Sequence, residues 1–99
     1  MQNFISKIEY VNENIVLTYY DAEMKCKIID FPINEMTARY FNNPKGFTGV
    51  FLQIERNGKN IIRQYAVGEW SPELIEEINE KLNSILKTQI KNQSSQMLN

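Results

Sequence analysis

The chain has 99 residues, 42% hydrophobic, 11% aromatic and 23% charged, which fits one domain with a single core and excludes a multidomain enzyme. Thirteen isoleucines and 11 aromatics offer enough apolar area to exclude wholesale disorder. Eleven Lys/Arg stand against twelve Asp/Glu, a net charge of −1, and histidine is absent. Without histidine, Ser-His and Cys-His nucleophile pairs and the common zinc and non-haem iron sites are excluded.

A single cysteine, Cys26, makes no internal disulfide and reads as a buried small hydrophobe. Apolar runs such as Val50-Phe51-Leu52 are far shorter than the roughly 20 residues that span a bilayer as a helix. Met1–Lys7 lacks the basic start and apolar stretch of a signal peptide, so a cytoplasmic protein is expected. Twelve asparagines, 13 isoleucines and eight lysines point to an AT-rich bacterial or phage genome.

In chain order, Phe4–Val11 alternates, with Phe4, Ile8 and Tyr10 opposite Lys7 and Glu9, and predicts a strand. Asn12-Glu13-Asn14 supplies a turn, and Ile15–Tyr20 has the β-branched and aromatic content of a second strand. Asp21–Met24 reads as the next turn and Lys25–Phe31 as a third strand, which Pro32 ends. On that strand Cys26 and Ile28 share one face, opposite Lys25, Lys27 and Ile29.

Asn34–Phe41 predicts a short helix, with Asn34 as N-cap and Ile33, Met36, Tyr40 and Phe41 as its apolar side. Phe47–Arg56 and Lys59–Val67 flank Asn57-Gly58, the preferred pair for a two-residue type I′ turn. That turn implies a register with Ile54 opposite Ile61, Leu52 opposite Arg63 and Val50 opposite Tyr65, which makes these the core face. Phe51, Gln53, Glu55, Gln64, Ile62 and Asn60 then lie on the other face. Phe51 and Ile62 are either covered by the short helix or form an exposed apolar patch. Arg63, beside Leu52, must snorkel, pair with a carboxylate such as Asp30, or reach a ligand.

Ser71, Pro72 and Glu73 open a long helix whose apolar stripe, Leu74 to Ile90, extends about 30 Å. Trp70 before the cap packs on Ile75 as a hydrophobic staple. The domain is placed at residues 1–92, with 93–99 a frayed polar tail. The expected architecture is α+β, an antiparallel sheet of about five strands with a short middle helix and the long C-terminal helix on one face.

No constellation carries catalysis. Ser84-Ile-Leu-Lys87 matches Ser-x-x-Lys, but both residues lie on the polar side of the helix, without the desolvation that such a lysine needs. Lys45–Leu52 half resembles an RNA-recognition strand, yet Thr48 and Gly49 depart from it. Residues 1–70 carry eight basic and eight acidic residues, so no cationic segment hides behind the average. Asp21, Glu23, Asp30 and Glu35 lack the spacing of a calcium loop, and neither metal nor cofactor is expected.

The order of features resembles a family of small bacterial domains of unknown function with the Nitrosomonas-type N-terminal-domain fold. The resemblance rests on Ile5-x-x-Ile8-x-Tyr10, Ile15-Val-Leu-Thr-Tyr-Tyr20, the acidic turn at Asp21 and Asp30-Phe31-Pro32. It continues through Asn43–Phe47, the hairpin and Ser71-Pro72-Glu73-Leu74, covering about residues 4–75. The chain departs from the family at Asp21-Ala22, where Asp-Gly is usual, and at Tyr65, Gly68 and Trp70, where a tryptophan, a glycine and an aspartate stand in order. Its long final helix is additional. The resemblance implies a non-catalytic module, often encoded beside another small protein in pairs like those of toxins and antitoxins, with some members fused to a helix-turn-helix.

The function expected is therefore a non-enzymatic protein-interaction module of a bacterium or phage, as an antitoxin, immunity or inhibitor component. Its partner-binding residues are expected to be Phe51, Arg56, Lys59, Ile62, Arg63 and Gln64. The alternative is a nucleic-acid-binding or transcription-accessory domain, and homodimerisation through the apolar helix is a third reading.

Overall fold

The computed structural model describes residues 3–42 and 49–98, and the side chains of those up to Thr88. Among the described residues, six strands, a 3-10 turn and one helix follow in order: β1 (Phe4–Val11), β2 (Asn14–Tyr20), β3 (Cys26–Pro32), the turn Ile33–Glu35, β4 (Met36–Asn42), β5 (Val50–Arg56), β6 (Lys59–Tyr65) and α1 (Pro72–Leu98). They form two three-stranded antiparallel sheets, β1-β2-β3 and β4-β5-β6, rather than a single five-stranded sheet. The class is α+β, but the short middle helix is absent.

The segment expected as that helix is strand β4. Met36, Ala38 and Tyr40 turn to the core while Thr37, Arg39 and Phe41 turn away, a period of two that also runs through the sequence. Pairing with β5 along its full length, from Met36↔Arg56 to Asn42↔Val50, outweighs the weak capping signal at Asn34. Helical order survives only as the 3-10 turn, where Ile33 is buried.

The first sheet follows the expected meander, with one adjustment. A bulge between Ile5 and Lys7 lets Ile5 and Ile8, three positions apart, both contribute to the core. Asn12 and Glu13 close the β1–β2 hairpin with φ of 51° and 67°, values of a type I′ turn. At the β2–β3 turn the Asp21 carboxylate accepts the backbone N–H groups of Glu23 and Lys25, each at 2.9 Å. Those bonds, the one from Lys25 foremost, hold its carboxyl below the usual range. Cys26 is exposed at the start of β3, not buried as the sequence implies.

The Asn57-Gly58 turn forms, with positive φ at both positions, but the register beyond it differs from the expectation. Arg56 pairs with Lys59 and Glu55 with Asn60; Ile61 then bulges, so that Ile54 opposes Ile62, Leu52 opposes Gln64 and Gln53 opposes Arg63. One extra residue moves every later β6 side chain to the other face. The expected register sets the Arg63 charge against Leu52 in the core, at a large desolvation cost. The bulge supplies Ile62 to the core instead and turns Arg63 out.

Helix α1 begins as its sequence dictates: Ser71 Oγ accepts the backbone N–H of Leu74 at 3.1 Å. Ile75 and Leu82 are buried, with Leu74, Ile78, Ile85 and Leu86 packed around them. Its backbone runs through Leu98, past Asn92. Both sheets and the helix share one core, in which Ile5, Ile15, Leu17 and Phe31 of the first sheet meet Met36, Leu52, Ile54 and Ile62 of the second.

Side-chain bonds join the sheets. Gln64, fully buried, accepts the Ile5 N–H at 2.6 Å and donates to the Tyr65 carbonyl at 2.9 Å. The Trp70 indole donates to the Ile5 carbonyl at 2.9 Å. Both backbone groups of Ile5 thus find partners outside the β1–β2 ladder.

Candidate functional site

The corrected register organises the outer face of the second sheet into rows across its three strands. Phe41, Phe51 and Tyr65 are paired neighbours, and so are Arg39, Gln53 and Arg63 one row along. The Phe41 and Phe51 rings stack at 4.7 Å between centroids with 18° between planes, and Phe51 meets Tyr65 at 5.2 Å and 46°. Phe41, on the outermost strand, is 37% exposed.

The second row is wired through buried polar groups. Gln53 and Glu55 are only 8% and 7% exposed although they lie on this outer face. The Arg39 Nε stands 3.4 Å from Glu55 Oε1. Gln53 Nε2 donates to Glu55 Oε2, and Gln53 Oε1 accepts from Arg63 Nε at 2.6 Å. A chain of bonds therefore crosses the sheet as Arg39–Glu55–Gln53–Arg63, and the carboxylate at one end sets which way the amide faces. The Arg63 guanidinium also lies 5.1 Å from the centre of the Phe51 ring. Arg63 is exposed and pairs with no carboxylate among the described residues.

The six partner-binding residues expected from the sequence separate into three groups. Phe51 and Arg63 lie on this face, where Phe41, Tyr65, Arg39, Gln53 and Glu55 join them. Ile62 and Gln64, expected outward, are 2% and 0% exposed and belong to the core, because the Ile61 bulge reverses their direction. The remaining two sit at the hairpin tip. Arg56 donates to Glu35 Oε1 at 2.7 Å and lies 5.4 Å from the Phe31 ring centre, which ties the tip to the 3-10 turn. Lys59 is exposed. Arg63 pairs with neither Asp30, which accepts from Asn14, nor the core face.

A second surface runs between β1 and α1. Ile8, Tyr10 and Ile15 face Ile78, Leu82 and Ile85 across a cavity of about 220 Å³, and a neighbouring cavity of similar size reaches Ile5, Trp70 and Leu74. Its walls are mainly apolar, with Glu9 and Lys81 at the rim.

Ser84 and Lys87 are both exposed on α1. Among the described residues no group of three or more His, Cys, Asp or Glu side chains is placed to hold a metal ion, and no helix is long and apolar enough to cross a membrane. Residues 43–48, which carry the first half of the RNA-recognition-like segment and the Asn43–Phe47 part of the family resemblance, lie outside the described residues. No family model, curated protein or solved structure matches the chain.

Proposed function

We propose that this chain is a non-enzymatic protein-interaction module that binds its partner with the outer face of the β4-β5-β6 sheet. The observation that carries this reading is the aromatic row Phe41–Phe51–Tyr65 bordered by an exposed Arg63 that has no carboxylate partner among the described residues. Aromatic residues and arginine are the types enriched where proteins meet, because they combine large contact area with few rotatable bonds or a planar set of donors. The resemblance to domains from paired genes adds the class of role, an antitoxin, immunity or inhibitor component.

Nucleic-acid binding is the weaker reading on the geometry of the same rings. Bases stack on open ring faces. Here Phe51 has Phe41 on one side and makes further contacts with Tyr65 and Arg63, so its π surface is already occupied.

Affinity capture tests the proposal. The wild-type chain, Arg63→Glu and a control reversal on the first sheet, Lys7→Glu, are used as baits in host extract. The expected result is a protein retained by wild type and Lys7→Glu and lost with Arg63→Glu. Equal retention by all three contradicts the placement of the surface.

A further inference from the structure

We infer that Arg63 receives a carboxylate from an acidic segment of the partner, with an adjacent apolar residue of that segment seated against Phe41. The inference rests on the proposed interaction surface and names the chemistry of what binds there.

Three features of the arginine row carry it. First, Arg63 is positioned before any partner arrives. Its Nε is committed to Gln53, and Gln53 is held by Glu55, so the side chain is anchored by two groups more than nine-tenths buried. A guanidinium anchored through Nε keeps its terminal N–H groups for a second acceptor, and the planar fork matches a carboxylate. Second, charge on this row is incomplete. Arg39 and Arg63 contribute two positive charges against the one negative charge of Glu55, which Arg39 engages. The excess of one cation complements an anion from outside. Third, Phe41 stands at the β4 edge of the neighbouring aromatic row with one ring face on Phe51 and 37% of its surface exposed. That apolar surface lies across Phe51 from the Arg63 guanidinium, which stands 5.1 Å from the Phe51 ring centre, and the two together suit a segment carrying an acidic residue and an apolar one close in sequence.

A phosphate backbone fits less well. Nucleic-acid strands present a charge at every nucleotide and are bound by stripes of cations. The arginine row offers one net positive charge, and Phe51, the central ring of the neighbouring aromatic row, is already covered.

The test is selection from a phage-displayed library of random dodecapeptides on the immobilised full chain. The expected outcome is enrichment of Asp or Glu next to an aromatic or aliphatic residue. The leading peptide is then expected to bind Arg63→Gln about tenfold more weakly than wild type, while Lys7→Gln on the first sheet stays within about twofold. Circular dichroism establishes that Arg63→Gln is folded. If it is not, Arg63→Lys, which keeps the charge without the fork, replaces it with an expected loss of about threefold.

Enriched peptides without an acidic excess, or with affinity indifferent to Arg63, overturn the carboxylate while leaving the protein-interaction reading in place. No enrichment at all overturns both. A labelled single-stranded oligothymidylate is measured alongside and is expected not to bind. Binding that Arg63→Gln weakens assigns the face to nucleic acid and also overturns both.

Discussion

Gln64 illustrates how much one residue decides in this molecule. Fully buried, it satisfies the Ile5 N–H that the β1 ladder leaves open. Replacement by leucine keeps much of the volume but leaves that donor in an apolar surrounding without a partner. Gln64→Leu is therefore expected to lower stability by about 1–3 kcal/mol in urea unfolding. Unchanged stability would show that the Ile5–Gln64 bond holds nothing together.

Glu35 acts at the same scale through charge. The hydrogen bond from Arg56 is the main cause that holds its carboxyl below the usual value, helped by the Arg56 charge and the Asn57 amide and opposed by desolvation. A carboxyl with a lowered folded-state pKa stabilises the fold fully above its unfolded pKa and loses that contribution as pH falls through the folded one. The stability gap between wild type and Glu35→Gln is thus expected to narrow from about pH 5 to about pH 3. A gap that stays constant across that range argues that the ion pair contributes no proton-linked stability.

At the scale of elements, the two hairpins form a natural comparison. Both have two-residue turns with positive φ, but one uses Asn57-Gly58 and the other Asn12-Glu13. A side chain at positive φ costs about 1–2 kcal/mol, part of which glycine returns as chain entropy. Glu13→Gly is expected to raise stability by up to about 1 kcal/mol and Gly58→Ala to lower it by about 1 kcal/mol. Among the described residues no atom lies within 4 Å of a methyl group placed at Gly58, so steric contact adds nothing to that loss. Thermal unfolding checks both signs. A Gly58→Ala variant as stable as wild type contradicts the positive-φ account.

The same elements show what the sequence reveals and what it conceals. Strands β1, β2 and β3, the Asn57-Gly58 turn and the Ser71 cap are readable because local chemistry alone specifies them. Strand β4 is not, since Met36, Tyr40 and Phe41 also suit a helix stripe and only pairing with β5 selects the strand. The Ile61 bulge is invisible locally, because it follows from the cost of burying Arg63 against Leu52. That single residue hides the candidate site: without it, Gln64 and Ile62 appear exposed and Arg63 appears internal. Phe51 and Arg63 are legible as unusual residues, but Phe41, Tyr65 and the Glu55–Gln53 wiring emerge only when three strands are set side by side.

For the whole molecule, the shared core and the bonds from Gln64 and Trp70 to Ile5 make the two sheets one cooperative unit. Trp70 fluorescence, which senses the joint between β1 and α1, and far-ultraviolet circular dichroism are expected to report coincident urea transitions. Separate midpoints would mean that the sheets unfold independently.

That shared core faces inward and leaves the aromatic and arginine rows on the opposite side of the second sheet, so binding there need not disturb the packing. On the proposed function, a partner docks on this outer face. Amide chemical shifts of the isotope-labelled chain, titrated with the leading acidic dodecapeptide, test it most directly. The largest shifts are expected to cluster at Arg39, Phe41, Phe51, Arg63 and Tyr65. Shifts confined to Ile8, Tyr10, Ile78 and Ile85, with the second sheet silent, would place binding in the β1–α1 groove and contradict it.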